Sequence, residues 1–243
     1  MKIFIISLSN STDRQDFMKQ QLENNNISYG FFNAVDGRKL SLEETEILYD
    51  IKKAKKYREL TPGEIGCSLS HKAIYKKIID ENIERAIILE DDIIIRPDFK
   101  TIVSYFENLP LKGYVIKLER AYGGNKNEDN KKITRFTIWH NININNDYYI
   151  GQPLSPPYLT WGYYIDIIAA KSLYKSMPKV YHVADAWGYH KKYIKLRMLN
   201  IPVISNNEIF DSIIGEQGKI LRTNKKIFLQ FKKIFNYFKL IFY

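Results

Sequence analysis

The sequence predicts a single α/β layered domain built on a mainly parallel sheet, extended at its C-terminal end by an amphipathic helix. Three observations point there. Residues 3–6 and 86–89 are short, wholly apolar runs, the pattern of strands buried on both faces. Segments with helical spacing alternate with those runs. Residues 222–243 then change character, with lysines and phenylalanines but no acidic residue.

Taken in order, Ile3, Phe4, Ile5 and Ile6 form a strand that Ser7, Ser9, Asn10 and Ser11 bring to an end. Residues 13–22 predict a helix with Phe17, Met18 and Leu22 on its apolar side. Residues 31–35 predict a second strand, closed by the turn pair Asp36 and Gly37. Residues 41–56 read as one helix, started by a capping box of Ser41 and Glu44. A second capping box, Thr61 with Glu64, opens a helix to Asp80, and Pro62 suits its first position. Residues 86–89 are the central strand. Beyond it, strands are expected at 114–118, 133–139 and 160–168, the last leading into a helix at 169–175. A polar loop at 123–132, an Asn-rich turn at 141–146 and a proline-rich connector at 151–157 separate them.

With 243 residues, 45% of them hydrophobic, the chain can bury one sizeable core, which excludes wholesale disorder. The single cysteine, Cys67, excludes a disulfide within the chain and a cysteine-based zinc knuckle, and it fits a reducing compartment. The net charge of +10 calls for an anionic partner. Arg222, Lys225, Lys226, Lys232, Lys233 and Lys239 carry most of that excess, so residues 1–221 are close to balanced and do not resemble a nucleic-acid groove. In the tail, Ile227, Phe231, Ile234, Phe238 and Ile241 recur at helical spacing opposite the lysines. That is the pattern of a helix lying on an anionic membrane surface, where each lysine contributes about 1 kcal/mol. The apolar run at residues 3–6 is far shorter than a span or a signal peptide requires, so a cytoplasmic location is expected.

The most informative feature is Glu90, Asp91 and Asp92, set between apolar residues 86–89 and 93–95. Adjacent carboxylates repel one another, and an apolar flank makes their charge costlier. A divalent cation with oxygen ligands, Mg²⁺ or Mn²⁺, compensates such a cluster and bridges it to substrate phosphates. In open α/β sheets, ligands sit beyond the carboxyl ends of the strands, where this cluster falls. Continued strand geometry would put Glu90 and Asp92 on one face and Asp91 on the other.

Three blocks then carry a family resemblance. They are Ile5, Ile6, Ser7 and Leu8 with Asp13 and Arg14, followed by residues 32–38; residues 63–71, from Gly63 through Cys67 to His71; and residues 87–92. In order and spacing they resemble glycosyltransferase family 25, the lipooligosaccharide core glycosyltransferases of Gram-negative bacteria. The resemblance covers residues 1–100 well, with a weaker echo from Thr160 to Asp185 and at Asp211 to Ile213. Two positions depart from it: Ser7 stands where the family usually has Asn, and Leu159 where a small Gly often precedes the threonine.

The resemblance implies a GT-A-like fold and inverting transfer of galactose or glucose from a UDP-sugar to a lipooligosaccharide acceptor, at the inner face of the inner membrane. It implies metal ligation by Asp92 and Glu90, which His182 would join, and a general base at Asp185. Asp91 would be left for the strand's opposite face or for a sugar hydroxyl of the donor. Ser7, Leu8, Arg14, Val35, Asp36, Arg38 and His71 would line the donor pocket, and Asp211 and Ser212 would close over the diphosphate. Trp187, beside Asp185, would offer an apolar face to a sugar ring. By residue type alone, Cys67 and His71, one helical turn apart, read as a packing pair and not a zinc site. Two other classes use the same features: a metal-dependent phosphotransferase or nuclease, and a catalytically silent membrane-bound scaffold.

Overall fold

The structure is a computed structural model that describes residues 1–119, 136–137 and 141–207. The tail at 222–243, Asp211, Ser212 and most of the strand expected at 133–139 lie outside the described residues. Among the described residues, no helix is long and apolar enough to cross a membrane.

The first half follows the sequence closely. Strand β1 (Lys2–Ser7), helix α1 (Thr12–Asn24) and strand β2 (Gly30–Asn33) come first. Helices α2 (Leu42–Leu48), α3 (Ile51–Ala54) and α4 (Pro62–Asp80) precede the central strand β3 (Arg85–Glu90). Both capping boxes are formed. The helix expected over 41–56 is broken at Tyr49. There the backbone pairs with Val180, Asp50 N–H donating to its carbonyl at 2.8 Å, and the Tyr49 hydroxyl accepts from Leu60 N–H at 3.0 Å. Burying that ring and pairing with the distant backbone at Val180 outweighs local helical preference.

The second half holds the expected strands near 114–118 and 160–168 and the helix expected at 169–175, together with elements that the sequence reading passed over. Strand β4 (Ile93–Ile95), helix α5 (Phe99–Glu107), strand β5 (Tyr114–Lys117), and the short strands β6 (Ile142–Asn143) and β7 (Tyr149–Gly151) lead to β8 (Gly162–Asp166). Helix α6 (Ile167–Ser176) follows, started by Asp166, whose carboxylate accepts from Ile168 and Ala169 N–H at 2.8 and 2.9 Å. A one-turn helix α7 (Trp187–His190) and strands β9 (Lys195–Leu199) and β10 (Ile204–Asn206) complete the described fold.

The sheet is mixed and not mainly parallel. Its order is β2-β1-β3-β8-β5-β9-β7-β6, and β4 pairs separately with β10. The pairs β2-β1, β1-β3 and β5-β9 are parallel; β8 runs antiparallel to both β3 and β5, and β7 to both β9 and β6. Strand β8 is buried on both faces. Such a strand shows the same apolar run in either direction, so its sense was not readable from residue pattern.

This topology gathers functional groups at one edge. The carboxyl ends of β1, β3 and β5 and the amino end of β8 meet there, with Ile6 opposite Glu90, Leu89 opposite Gly162 and Lys117 opposite Tyr163. One face of the sheet is covered by α4 and α6 through Ile74, Tyr75, Ile78, Ala169, Ala170 and Leu173. The other is covered by α1 and α5 through Met18, Leu22, Phe99, Ile102 and Phe106.

The loop after β2 lies directly on the first turns of α4. A Cβ on Gly66 would come within 2.5 Å of the Gly37 nitrogen and the Val35 carbonyl, and a Cβ on Gly37 would collide with the Pro62 carbonyl. Ser70 pins the loop further, its Oγ accepting from Val35 N–H at 2.8 Å while donating to the Gly66 carbonyl at 2.7 Å. Glycine is needed at both positions because backbone meets backbone.

Candidate active site

Glu90 terminates β3 and faces α4 and β8. Its carboxylate accepts from the Thr160 hydroxyl and lies 3.8 Å from His71 Nε2, while its backbone N–H donates to the Trp161 carbonyl at 2.8 Å. Burial pushes this carboxyl up, but His71, Thr160 and the Lys117 charge outweigh burial and hold it below its ordinary range. Beyond Glu90 the chain turns, and strand alternation does not continue. Asp91 and Asp92 point together toward α1, where Arg14 Nη1 bridges them at 2.9 and 3.1 Å. Asp91 therefore does not stand opposite Asp92 as strand alternation would have it, while Asp92 still lies close enough to Glu90 for their charges to repel. Asp92 keeps one oxygen, Oδ1, buried with no hydrogen-bond partner among the described residues. Burial and the neighbouring Glu90 charge push its carboxyl up to about 6, with Arg14 opposing.

The other expected donor-pocket residues fall around this edge in different states. Arg14 is engaged by the aspartates, so its first role is to neutralise the cluster. Ser7 is buried, its Oγ accepting from Gln15 Nε2 at 3.3 Å, and the Leu8 carbonyl accepts from the same amide at 2.9 Å. Val35 is held by Ser70, as described. Asp36 and Arg38 pair with each other in a two-bond fork of 2.7 and 2.8 Å. The Arg38 guanidinium holds the Asp36 carboxyl below its ordinary value. His71 is buried, its Nδ1 2.7 Å from the Tyr163 hydroxyl, which is 3.0 Å from that of Tyr75.

Opposite the carboxylates, Leu159 and Thr160 tie the two halves of the site together. Leu159 has φ of +70°, the left-handed region that disfavours a side chain. This explains why the resembling pattern prefers glycine there. Strain of this kind costs about 1–3 kcal/mol. It is held in place by three hydrogen bonds: Leu159 N–H donates to Asp185 Oδ2 at 3.3 Å, and its carbonyl accepts from Lys117 Nζ at 2.8 Å and Trp187 Nε1 at 2.7 Å. Thr160, the next residue, reaches Glu90. A single peptide segment thus joins Asp185 to the acidic cluster.

Asp185 is half-buried and does not cap α7, whose cap residue is Ala186. Burial raises the Cys67 thiol and lowers the Lys117 ammonium; the Asp185 charge adds to the first shift and opposes the second. His182 stands apart, caged by Tyr57, Tyr181 and Tyr189 with ring centroids 4.1–4.7 Å away. Burial and the nearby Lys53 and Lys192 push it down to about 4, so it is neutral. The structure does not bring it to the acidic cluster. Trp187 is fully buried and covers the Lys117 ammonium at 4.6 Å, so it offers no face to a sugar.

Sequence reasoning missed Lys117 and Glu119, an ion pair with essentially no exposure. The available signal was two opposite charges two residues apart in an apolar strand, hence on one face. It also missed a convergence of Cys67, His71 and Glu90, whose ligand atoms lie within 4.8 Å of one another and could hold a divalent metal ion. An open cleft of about 780 Å³ lies at the other end of β1 and β3, lined by Lys2, Phe4, Tyr29 and Arg85. It holds none of these groups, and sheet topology favours the carboxyl edge for chemistry.

An α/β domain with a mixed, partly parallel sheet and an acidic cluster closing its central strand is broadly GT-A-like. The chain belongs to glycosyltransferase family 25 (LPS biosynthesis protein), which it matches over residues 1–187. It is 36% identical over 105 residues to human procollagen galactosyltransferase 2, covering 41% of this chain and 17% of that protein. It is 29% identical over 175 residues to the putative glycosyltransferase R655 of Acanthamoeba polyphaga mimivirus, covering 70% of this chain and 51% of that one. It is also 34% identical over 104 residues to the probable inactive glycosyltransferase 25 family member 3 of Bos taurus, covering 41% of this chain and 18% of that protein. The aligned regions thus span about half or less of these relatives' own lengths.

Proposed function

We propose that this chain is an inverting hexosyltransferase that moves galactose or glucose from a UDP-sugar to a lipooligosaccharide core acceptor. Residues 1–221 form the catalytic domain in this reading. The observation that carries it is the meeting of Glu90, Asp91 and Asp92 with Asp185 at one sheet edge, joined through Leu159 and Thr160.

The donor set suits Mn²⁺ or Mg²⁺. Asp92 retains an unpartnered buried oxygen, and its raised carboxyl marks a charge that Arg14 does not fully compensate. Asp92 and Glu90 would hold the ion, which supplies stabilisation of the negative charge left on the departing diphosphate. Ser7, Leu8, Val35, Asp36 and Arg38 bind the nucleotide, with His71 beside Glu90 and Asp211 and Ser212 at the diphosphate. Asp185 accepts the proton of the acceptor hydroxyl as its oxygen attacks the anomeric carbon from the face opposite UDP. The bond from that carbon to the diphosphate oxygen breaks, its electron pair leaves with UDP, and the configuration inverts.

The reading is tested by incubating the full chain with a panel of UDP-sugars and Mn²⁺ and measuring UDP release with a lipooligosaccharide acceptor. UDP-galactose or UDP-glucose is expected to turn over, and chelation by EDTA is expected to stop it. The similarity to a probable inactive family member favours a second reading, a silent scaffold that keeps the fold. No transfer from any donor would support that scaffold.

The tail at 222–243 is the proposed anchor to the anionic inner face of the inner membrane, where such an acceptor is assembled. Full-length protein is expected to sediment with anionic vesicles and a chain ending at residue 221 to remain in the supernatant. Equal sedimentation of the two would remove the tail from the proposal.

A further inference from the structure

We propose that Cys67, His71 and Glu90 form a second cation position that selects thiophilic transition-metal ions, zinc above all, and that zinc bound there withdraws Glu90 from the donor-site ion. The second half of this proposal rests on the glycosyl-transfer reading; the first does not.

Cys67 and His71 lie four residues apart on α4, so their side chains share one face of the helix. Glu90 reaches that face from the end of β3, and the three ligand atoms lie within 4.8 Å of one another. His71 Nε2 is buried and has no hydrogen-bond partner among the described residues. At 3.8 Å from the Glu90 carboxylate it is too distant for a hydrogen bond. Two ligands of one tetrahedral zinc, with bonds of about 2.0–2.3 Å, sit about 3.3–3.6 Å apart. The His71–Glu90 separation therefore needs to close by about 0.5 Å or less, and the separations to Cys67 Sγ, none above 4.8 Å, by at most about 1.3 Å, to share an ion.

The surroundings prepare the imidazole for that role. Its other nitrogen, Nδ1, is 2.7 Å from the Tyr163 hydroxyl, which continues to Tyr75 at 3.0 Å. If Nδ1 carries the proton and donates to Tyr163, the Nε2 lone pair faces Cys67 and Glu90. Metal-bound histidines are oriented by such an outer hydrogen bond. On binding, the Cys67 thiol releases its proton to solvent and its sulfur takes the metal bond.

Ligand chemistry separates the two positions. Glu90 with Asp92 offers only oxygen and suits Mg²⁺ or Mn²⁺. Sulfur and imidazole nitrogen favour zinc over both. Three protein ligands leave one coordination position open, so the ion is exchangeable and not locked in as structural zinc is. Sequence reasoning dismissed zinc because there is one cysteine; the missing ligand, Glu90, comes from another element, the end of β3.

The test is a cobalt titration of the metal-free full chain. A thiolate-to-cobalt charge-transfer band with intense tetrahedral d–d bands is expected, absent in both Cys67→Ser and Cys67→Ala, with zinc affinity reduced at least about tenfold. No charge-transfer band in the wild type at saturating cobalt, or the same band in the variants, would overturn the site. Zinc is then titrated against UDP release at saturating Mn²⁺, each protein normalised to its own zinc-free rate. Inhibition is expected at about tenfold lower zinc in the wild type than in Cys67→Ser. Equal inhibition would refute the competition. If no protein turns over any donor, the transfer reading fails, while the cobalt spectra still decide the site.

Discussion

Lys117→Met is expected to destabilise the protein by about 3–5 kcal/mol, because it leaves the buried Glu119 carboxylate without its cation. Both side chains are essentially unexposed, and Lys117 Nζ also donates to the Leu159 carbonyl at 2.8 Å. Burial pushes Glu119 up and Lys117 down, and the ion pair opposes both shifts. Removing the lysine removes that opposition and raises the Glu119 carboxyl further. A carboxyl that is raised on folding binds more protons in the folded state, so its stability contribution falls as pH rises above the unfolded value of about 4.3. The deficit relative to wild type should therefore be larger at pH 8 than at pH 5. Denaturant unfolding of both proteins at the two pH values checks this, and a pH-independent deficit would contradict it. Lys117→Met combined with Glu119→Leu should recover most of the loss, since replacing both partners by apolar groups is close to neutral.

That ion pair also shows why part of the site was hidden in the sequence. The three motif blocks are local: an apolar strand followed by a turn, a capped helix, and a strand ending in carboxylates. Thr61 and Glu64 close their box as the spacing requires, and Arg58 adds a fork of 2.6 and 2.7 Å onto the same buried carboxylate. Local chemistry of this sort survives in the pattern of residues. Lys117 and Glu119 acquire meaning only because β8 enters antiparallel between β3 and β5, and nothing in a doubly buried strand reveals its direction. The same strand delivers Leu159 and Thr160 to Asp185 and Glu90. His182 illustrates the reverse: the resemblance implied a metal ligand, but its ring packs among those of Tyr57, Tyr181 and Tyr189. Tyr49 breaks a helix for a contact made far along the chain. Short-range physics made the first half of the fold readable, and long-range pairing decided what stands opposite the carboxylates.

Asp185→Asn is expected to lower transfer by about 10²–10⁴-fold, the range lost when a positioned general base is removed. The substitution keeps the shape of the side chain and an oxygen able to accept from Leu159 N–H, so the Leu159–Thr160 segment stays where it is. It removes the ability to take a proton. Fold stability is therefore expected to change by no more than about 1 kcal/mol, the net worth of one altered hydrogen bond. UDP binding in the presence of Mn²⁺ should also persist, because the acidic cluster is untouched. This separation distinguishes a base from a positioning residue. If Asp185 served only to hold Leu159, the asparagine variant would transfer almost normally, and a glycine at position 159, free of the left-handed strain, would tolerate its loss. Single-turnover transfer rates with Asp185→Asn, alone and with Leu159→Gly, measured beside calorimetric UDP affinity, decide between them. A slow chemical step in both variants with unchanged UDP affinity assigns the proton to Asp185; near-normal transfer in either removes it from that role.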